Sequence, residues 1–149
     1  MLYFAYGSNL NLPQMARRCP GHVVVGRATL AYYTLVFPRT YKSWNGGVAG
    51  IVPTPGGVVE GAVYDLDETH MAALDEYEGV ADNHYTRASV RVKLPDARAV
   101  DAITYFATPE PGHPFKPSRR YMQTIIDGAM SHNIPATYIK SLRAIVTAD

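Results

Sequence analysis

The sequence predicts an α+β fold built around an antiparallel-rich sheet. Short runs rich in β-branched and aromatic residues recur along the chain, separated by turn signals that draw on 11 prolines and 12 glycines. Helical patterns are few and do not alternate with the strands in the rhythm of βαβ units, which argues against a parallel sheet. So many short strands would leave exposed edges, and a strongly curved or closed sheet removes them economically.

Leu2 to Ala5 is an apolar run of the length expected for a strand buried on both faces. Asn11, followed by Gln14 and with Pro13 in the first turn, marks a capped helix start; that helix stops before Pro20-Gly21. Val23 to Leu30 and Ala31 to Phe37 read as two strands. Val48 to Pro53 and Val58 to Leu66 flank Pro55-Gly56-Gly57, the signal of a hairpin. Asp67 caps a short helix running from Glu68 to about Glu76. Val90, Val92 and Leu94 alternate with Arg91 and Lys93 in a half-buried strand, which turns at Pro95-Asp96 onto Val100 to Phe106. Thr108 to Pro117 holds four prolines and reads as a loop. Ser118 caps a helix with an apolar stripe of Met122, Ile125, Ile126, Ala129 and Met130. Pro135 opens a last helix with Tyr138, Leu142 and Ile145 on one face.

Composition narrows the function. The 149 residues fit one domain, 1–149, and 47% hydrophobic with 18% charged residues describes a folded chain rather than a disordered one. A net charge of +1 supplies no drive toward nucleic acid or an anionic membrane, and the pairs Arg17-Arg18 and Arg119-Arg120 are too short to track phosphates. The single cysteine, Cys19, permits no intrachain disulfide and suits a reducing compartment. Met1 to Ala5 lacks a basic leader region, and no apolar run reaches the roughly 18–20 residues that span a bilayer. The expectation is a soluble cytoplasmic protein.

Two segments invite chemistry. The first strand runs into Tyr6-Gly7-Ser8-Asn9 just before a helix, and such a turn can present successive N–H groups to an anion. Gly7 would let a ligand approach the backbone closely. The second segment, Leu74-Asp75-Glu76-Tyr77-Glu78-Gly79, places three carboxylates at a helix C-terminus, where the helix dipole disfavours them. Taken alone, each is as well explained by an ordinary turn and a solvated acidic cap. The five histidines show no metal-ligand spacing, so no metal is expected. Gly46-Gly47-Val48-Ala49-Gly50 is no dinucleotide fingerprint, and Ser8 does not sit in a nucleophile elbow.

Together these segments resemble the γ-glutamylcyclotransferase family. Tyr3-Phe4-Ala5-Tyr6-Gly7-Ser8-Asn9-Leu10 is similar to its glutamyl-binding loop, and Leu74 to Val80 to the segment carrying its catalytic glutamate, which falls on Glu78. Trp44 to Ala49, Gly61 to Tyr64 and Pro135 to Tyr138 also match, in order, over nearly the whole chain. The resemblance implies a small β-barrel with flanking helices and no metal or organic cofactor. The implied reaction turns a γ-glutamyl group into 5-oxoproline by attack of its own α-amine, releasing the attached amine. It makes Glu78 the general acid/base and Tyr3 to Asn9 the substrate loop, with Tyr138 orienting the substrate. The implied partner is a small γ-glutamyl molecule, the protein being a monomer or homodimer. Ser8 followed by Asn9 favours the branch acting on γ-glutamyl-amino acids, since the other branches carry Y-G-T-L or Y-G-S-L. The alternative is a non-catalytic binder of acidic metabolites on the same fold. Trp44, Tyr85 and Phe115 are candidates for the leaving-group side, and Thr108 to Pro117 for a lid or spacer.

Overall fold

Two long strands, rather than four short ones, form the framework. A computed structural model describes residues 1–149. Strands β1 (Leu2–Ala5), β2 (Val23–Tyr41), β3 (Gly46–Asp65), β4 (Tyr85–Lys93) and β5 (Ala99–Ala107) close into a barrel in the order β1-β3-β2-β4-β5. Every pairing is antiparallel except β1 with β5. The expected α+β class and antiparallel-rich barrel are therefore what the structure shows.

The expected hairpin at Pro55-Gly56-Gly57 is not there. Strands β2 and β3 turn on each other through residues 42–45, pairing from Val23↔Asp65 out to Tyr41↔Gly46. The register passes from Ala31↔Val58 to Tyr33↔Pro53, so residues 54–57 bulge out opposite Tyr32. Gly56 (φ +75°) and Tyr32 (φ +69°) both take left-handed backbone there, and the Tyr32 side chain points to solvent. The two segments predicted on each side are single strands broken by this bulge. Turn residues mark a change of backbone direction, and a bulge needs them as much as a hairpin does.

The helices follow their local signals closely. Helix α1 (Leu12–Arg18) starts at Asn11, whose side chain accepts the Gln14 N–H at 3.1 Å. Helix α2 (Glu68–Glu78) begins with a reciprocal Asp67–His70 cap and ends at Gly79, in left-handed backbone at φ +66°. Helix α3 (Arg119–Ser131) is capped by Ser118, and α4 (Ala136–Arg143) follows Pro135. One member of the expected α3 stripe is misplaced: Met130 is exposed, and Gly128 is buried instead. A Cβ at Gly128 would lie 2.3 Å from the Leu10 carbonyl carbon, so α3 rests directly on the chain behind the first loop.

Thr108 to Pro117 is a strap bound to the barrel wall. Its backbone exchanges bonds with Phe37, Pro38 and Gly47, and Arg39 donates to the Thr108 carbonyl at 2.7 Å. The core of 33 buried hydrophobic residues draws on every strand and helix.

Candidate active site

A cavity opens where β1, α1, α2, α3 and the outer ends of β2 and β3 converge. It spans about 660 Å³ of space including its open mouth. No group of three or more His, Cys, Asp or Glu side chains is placed to hold a metal ion.

The cavity separates the three carboxylates of the acidic segment. Asp75 accepts from Arg87 Nε at 2.7 Å and Tyr105 Oη at 2.7 Å, so it is already committed. Glu76 is exposed at the surface. Glu78 lines the cavity, and its carboxylate has no hydrogen bond or ion pair within the protein. Glu78 is half-buried as a residue, and protein crowds its carboxyl. Desolvation pushes its pKa up to about 7, against a lowering by Arg18 and a further raising by Asp75. Tyr41 Oη donates to the Glu78 carbonyl at 3.0 Å, which pins the end of α2.

Facing Glu78 is the predicted loop, folded as a 3-10 turn over Ser8–Leu10. The Gly7 N–H has no partner within the protein and is available to a ligand. Asn9 works differently from expectation. Its side-chain nitrogen donates to Tyr3 Oη at 2.9 Å, and its oxygen accepts from Gln14 at 3.1 Å and Arg18 at 3.0 Å. Gln14 also donates to Ser8 Oγ at 2.8 Å, so it ties both loop side chains to α1. Behind the loop, Tyr64 Oη donates to the Asn9 carbonyl at 2.8 Å while His132 Nε2 lies 3.0 Å from the Leu10 carbonyl. Burial lowers the His132 pKa, which keeps the ring neutral beside that carbonyl.

Six of the predicted residues meet here: Tyr3, Tyr6, Gly7, Ser8, Asn9 and Glu78 all line the cavity. Phe4 and Ala5 do not; both are fully buried in the core. Tyr138 does not line it either. Its helix face packs against the core, and the phenol is buried near the Glu60 backbone without a hydrogen bond. Trp44 and Tyr85 line the cavity, whereas Phe115 belongs to the strap.

Sequence reasoning missed Arg18, Tyr41, Tyr77, Tyr105 and Tyr121. The phenols of Tyr6, Tyr41, Tyr85 and Tyr105 all donate to protein oxygens. Tyr121 and Tyr3 are different: their oxygens accept the Ala49 N–H at 2.8 Å and the Asn9 side-chain nitrogen at 2.9 Å, leaving their own protons free. Trp44 packs edge-on against the Tyr121 ring at 5.0 Å. A Cβ on Gly7 would stand 3.4 Å from the Tyr121 hydroxyl, so loop and phenol share one corner.

Fold and site thus define a barrel protein in which an unpaired, partly desolvated carboxylate shares a cavity with a loop that carries a free backbone N–H. The sequence pattern of the AIG2-like family matches residues 58–142. Gamma-glutamylcyclotransferases of Bos taurus and Homo sapiens are each 33% identical over 99% of this chain and 80% of their own length. A solved structure titled gamma-glutamyl cyclotransferase superposes with a TM-score of 0.95 at 31% identity, covering 100% of this chain and 89% of its own. The chain belongs to the AIG2-like, gamma-glutamylcyclotransferase family.

Proposed function

We propose that this protein releases amines from γ-glutamyl-amino acids, converting the glutamyl half into 5-oxoproline by intramolecular aminolysis. The observation that carries the reading is Glu78: an unpaired carboxylate with a pKa raised to about 7, facing a loop with a free N–H.

The substrate's α-ammonium must lose a proton before it can attack, and Glu78 is the base at hand. The freed amine adds to the γ-carbonyl, forming the ring C–N bond. The carbon–nitrogen bond to the departing amine then breaks, Glu78 returns its proton to that nitrogen, and the ring nitrogen sheds its surplus proton to solvent. A pKa near the working pH serves both steps, and such acid–base action contributes roughly 10²–10⁴-fold. No nucleophilic side chain is required, because the attacking amine is tethered; aligned reactions of this kind reach effective molarities of about 10⁵–10⁸ M.

The free N–H of Gly7 and the Ser8 hydroxyl suit the glutamyl α-carboxylate. The uncommitted Tyr121 proton, in the same corner as Gly7, suits the oxygen of the carbonyl as it gains charge, whereas Tyr138 lies outside the cavity.

The test is equimolar release of 5-oxoproline and alanine from γ-glutamyl-alanine, beside glutathione and the γ-glutamyl-lysine isopeptide. Glu78→Gln should lower kcat by about 10²–10⁴-fold while its circular dichroism stays that of the wild type. Near wild-type turnover in that variant would overturn the mechanism.

A further inference from the structure

We propose that Arg18 receives the carboxylate of the departing amino acid, and so selects γ-glutamyl-amino acids over γ-glutamylamines. The proposal rests on the functional reading above and deepens it at the leaving-group end of the same cavity.

Arg18 is the sole cationic side chain among the cavity residues. It enters none of the protein's ion pairs. Its guanidinium is nonetheless held in place on two sides. One nitrogen donates to Asn9 Oδ1 at 3.0 Å, and the plane lies over the Tyr77 ring at 4.3 Å. The remaining N–H donors have no protein acceptor, which leaves a fixed fork of the shape that grips a carboxylate. A half-buried cation without an anion costs stability unless a ligand supplies the anion.

The chemistry of the substrate says which anion. A γ-glutamyl-amino acid carries two carboxylates. The glutamyl carboxylate belongs with the deep loop, where Tyr3 and Asn9 are buried to 4% and 3% exposure. Arg18 is bonded to that loop at Asn9 on one side and stacks on the other on Tyr77, which is 51% exposed and marks the mouth. The second carboxylate carbon is two covalent bonds from the departing nitrogen. Glu78 must reach that nitrogen to return a proton, so the second carboxylate falls close to Glu78. Arg18 occupies that zone: it acts electrostatically on Glu78 without being ion-paired to it. A γ-glutamylamine has nothing to offer the fork and would leave it unpaired.

The deciding measurement compares γ-glutamyl-alanine with γ-glutamyl-ethylamine, which differ by that carboxylate alone. The readout is the ratio of their kcat/KM values, which does not depend on the folded fraction of a preparation. The wild type should favour the alanine substrate by about 30-fold or more, as expected for a charged hydrogen-bonded contact. In Arg18→Gln the ratio should fall to within about threefold. Arg18→Lys, a point charge without the fork, should lie between them. If the wild type shows no preference, or if Arg18→Gln keeps the wild-type ratio while losing rate on both, Arg18 only supports the loop and the proposal is wrong. If the wild type releases no 5-oxoproline from either compound, the functional reading itself fails.

Discussion

Glu78 is the last residue of α2, where unpaired carbonyls already oppose negative charge. Burial adds to this, while the nearest counter-charge, Arg18, belongs to another helix and does not touch it. These opposing effects set the pH dependence expected of the enzyme. In the proposed mechanism Glu78 acts as a base only when ionised, so kcat/KM should rise about tenfold per unit toward pH 7 and level off above it. Arg18 favours the ionised form, so Arg18→Gln should move this acid limb to higher pH. The measurement is the pH profile of both enzymes on γ-glutamyl-ethylamine, which presents no leaving-group carboxylate. An unmoved limb would mean that the two groups do not interact.

At the scale of elements, the loop owes its shape to what lies behind it. Gln14 of α1 holds the Ser8 and Asn9 side chains, while Tyr64 of β3 and His132 after α3 hold the Asn9 and Leu10 carbonyls behind them. Helix α3 also closes on the loop through Gly128, where backbone meets backbone. Gly128→Ala places a methyl 2.5 Å from the Asn11 nitrogen, so helix and loop must separate. The expected cost is about 1–3 kcal/mol of stability by denaturant unfolding. Turnover should fall as well, because Gly7 and Tyr121 ride on the two elements pushed apart. Gly79 serves a second junction. Its left-handed backbone ends α2 directly after Glu78, and a Cβ there would stand 2.5 Å from the His84 ring.

For the whole molecule, the barrel joins strands distant in sequence, such as β1 with both β3 and β5, around one connected core. Residues 1–149 are therefore expected to unfold in a single transition. Far-ultraviolet ellipticity and Trp44 fluorescence should follow the same denaturant curve. Two separated transitions would show that the barrel and its helices are independent units. No helix of the protein is long and apolar enough to cross a membrane.

What could be read in the sequence was local. The Asn11, Asp67 and Ser118 caps and the apolar stripe of α3 each depend on residues within a few positions, and the structure keeps them except for Met130. The Tyr6-Gly7-Ser8-Asn9 turn and the acidic segment were visible for the same reason, and resemblance to a family, not periodicity, chose Glu78 from its neighbours. Tertiary structure alone decided the rest. Strand pairing is set by partners across the sheet, so Pro55-Gly56-Gly57 could not reveal whether it was a hairpin or a bulge. A tyrosine on a strand looks the same in sequence whether it faces core or cavity. Only barrel closure brings Tyr41, Tyr105 and Tyr121 around Glu78, and only the packing of α1 against α2 sets Arg18 beside it without a partner.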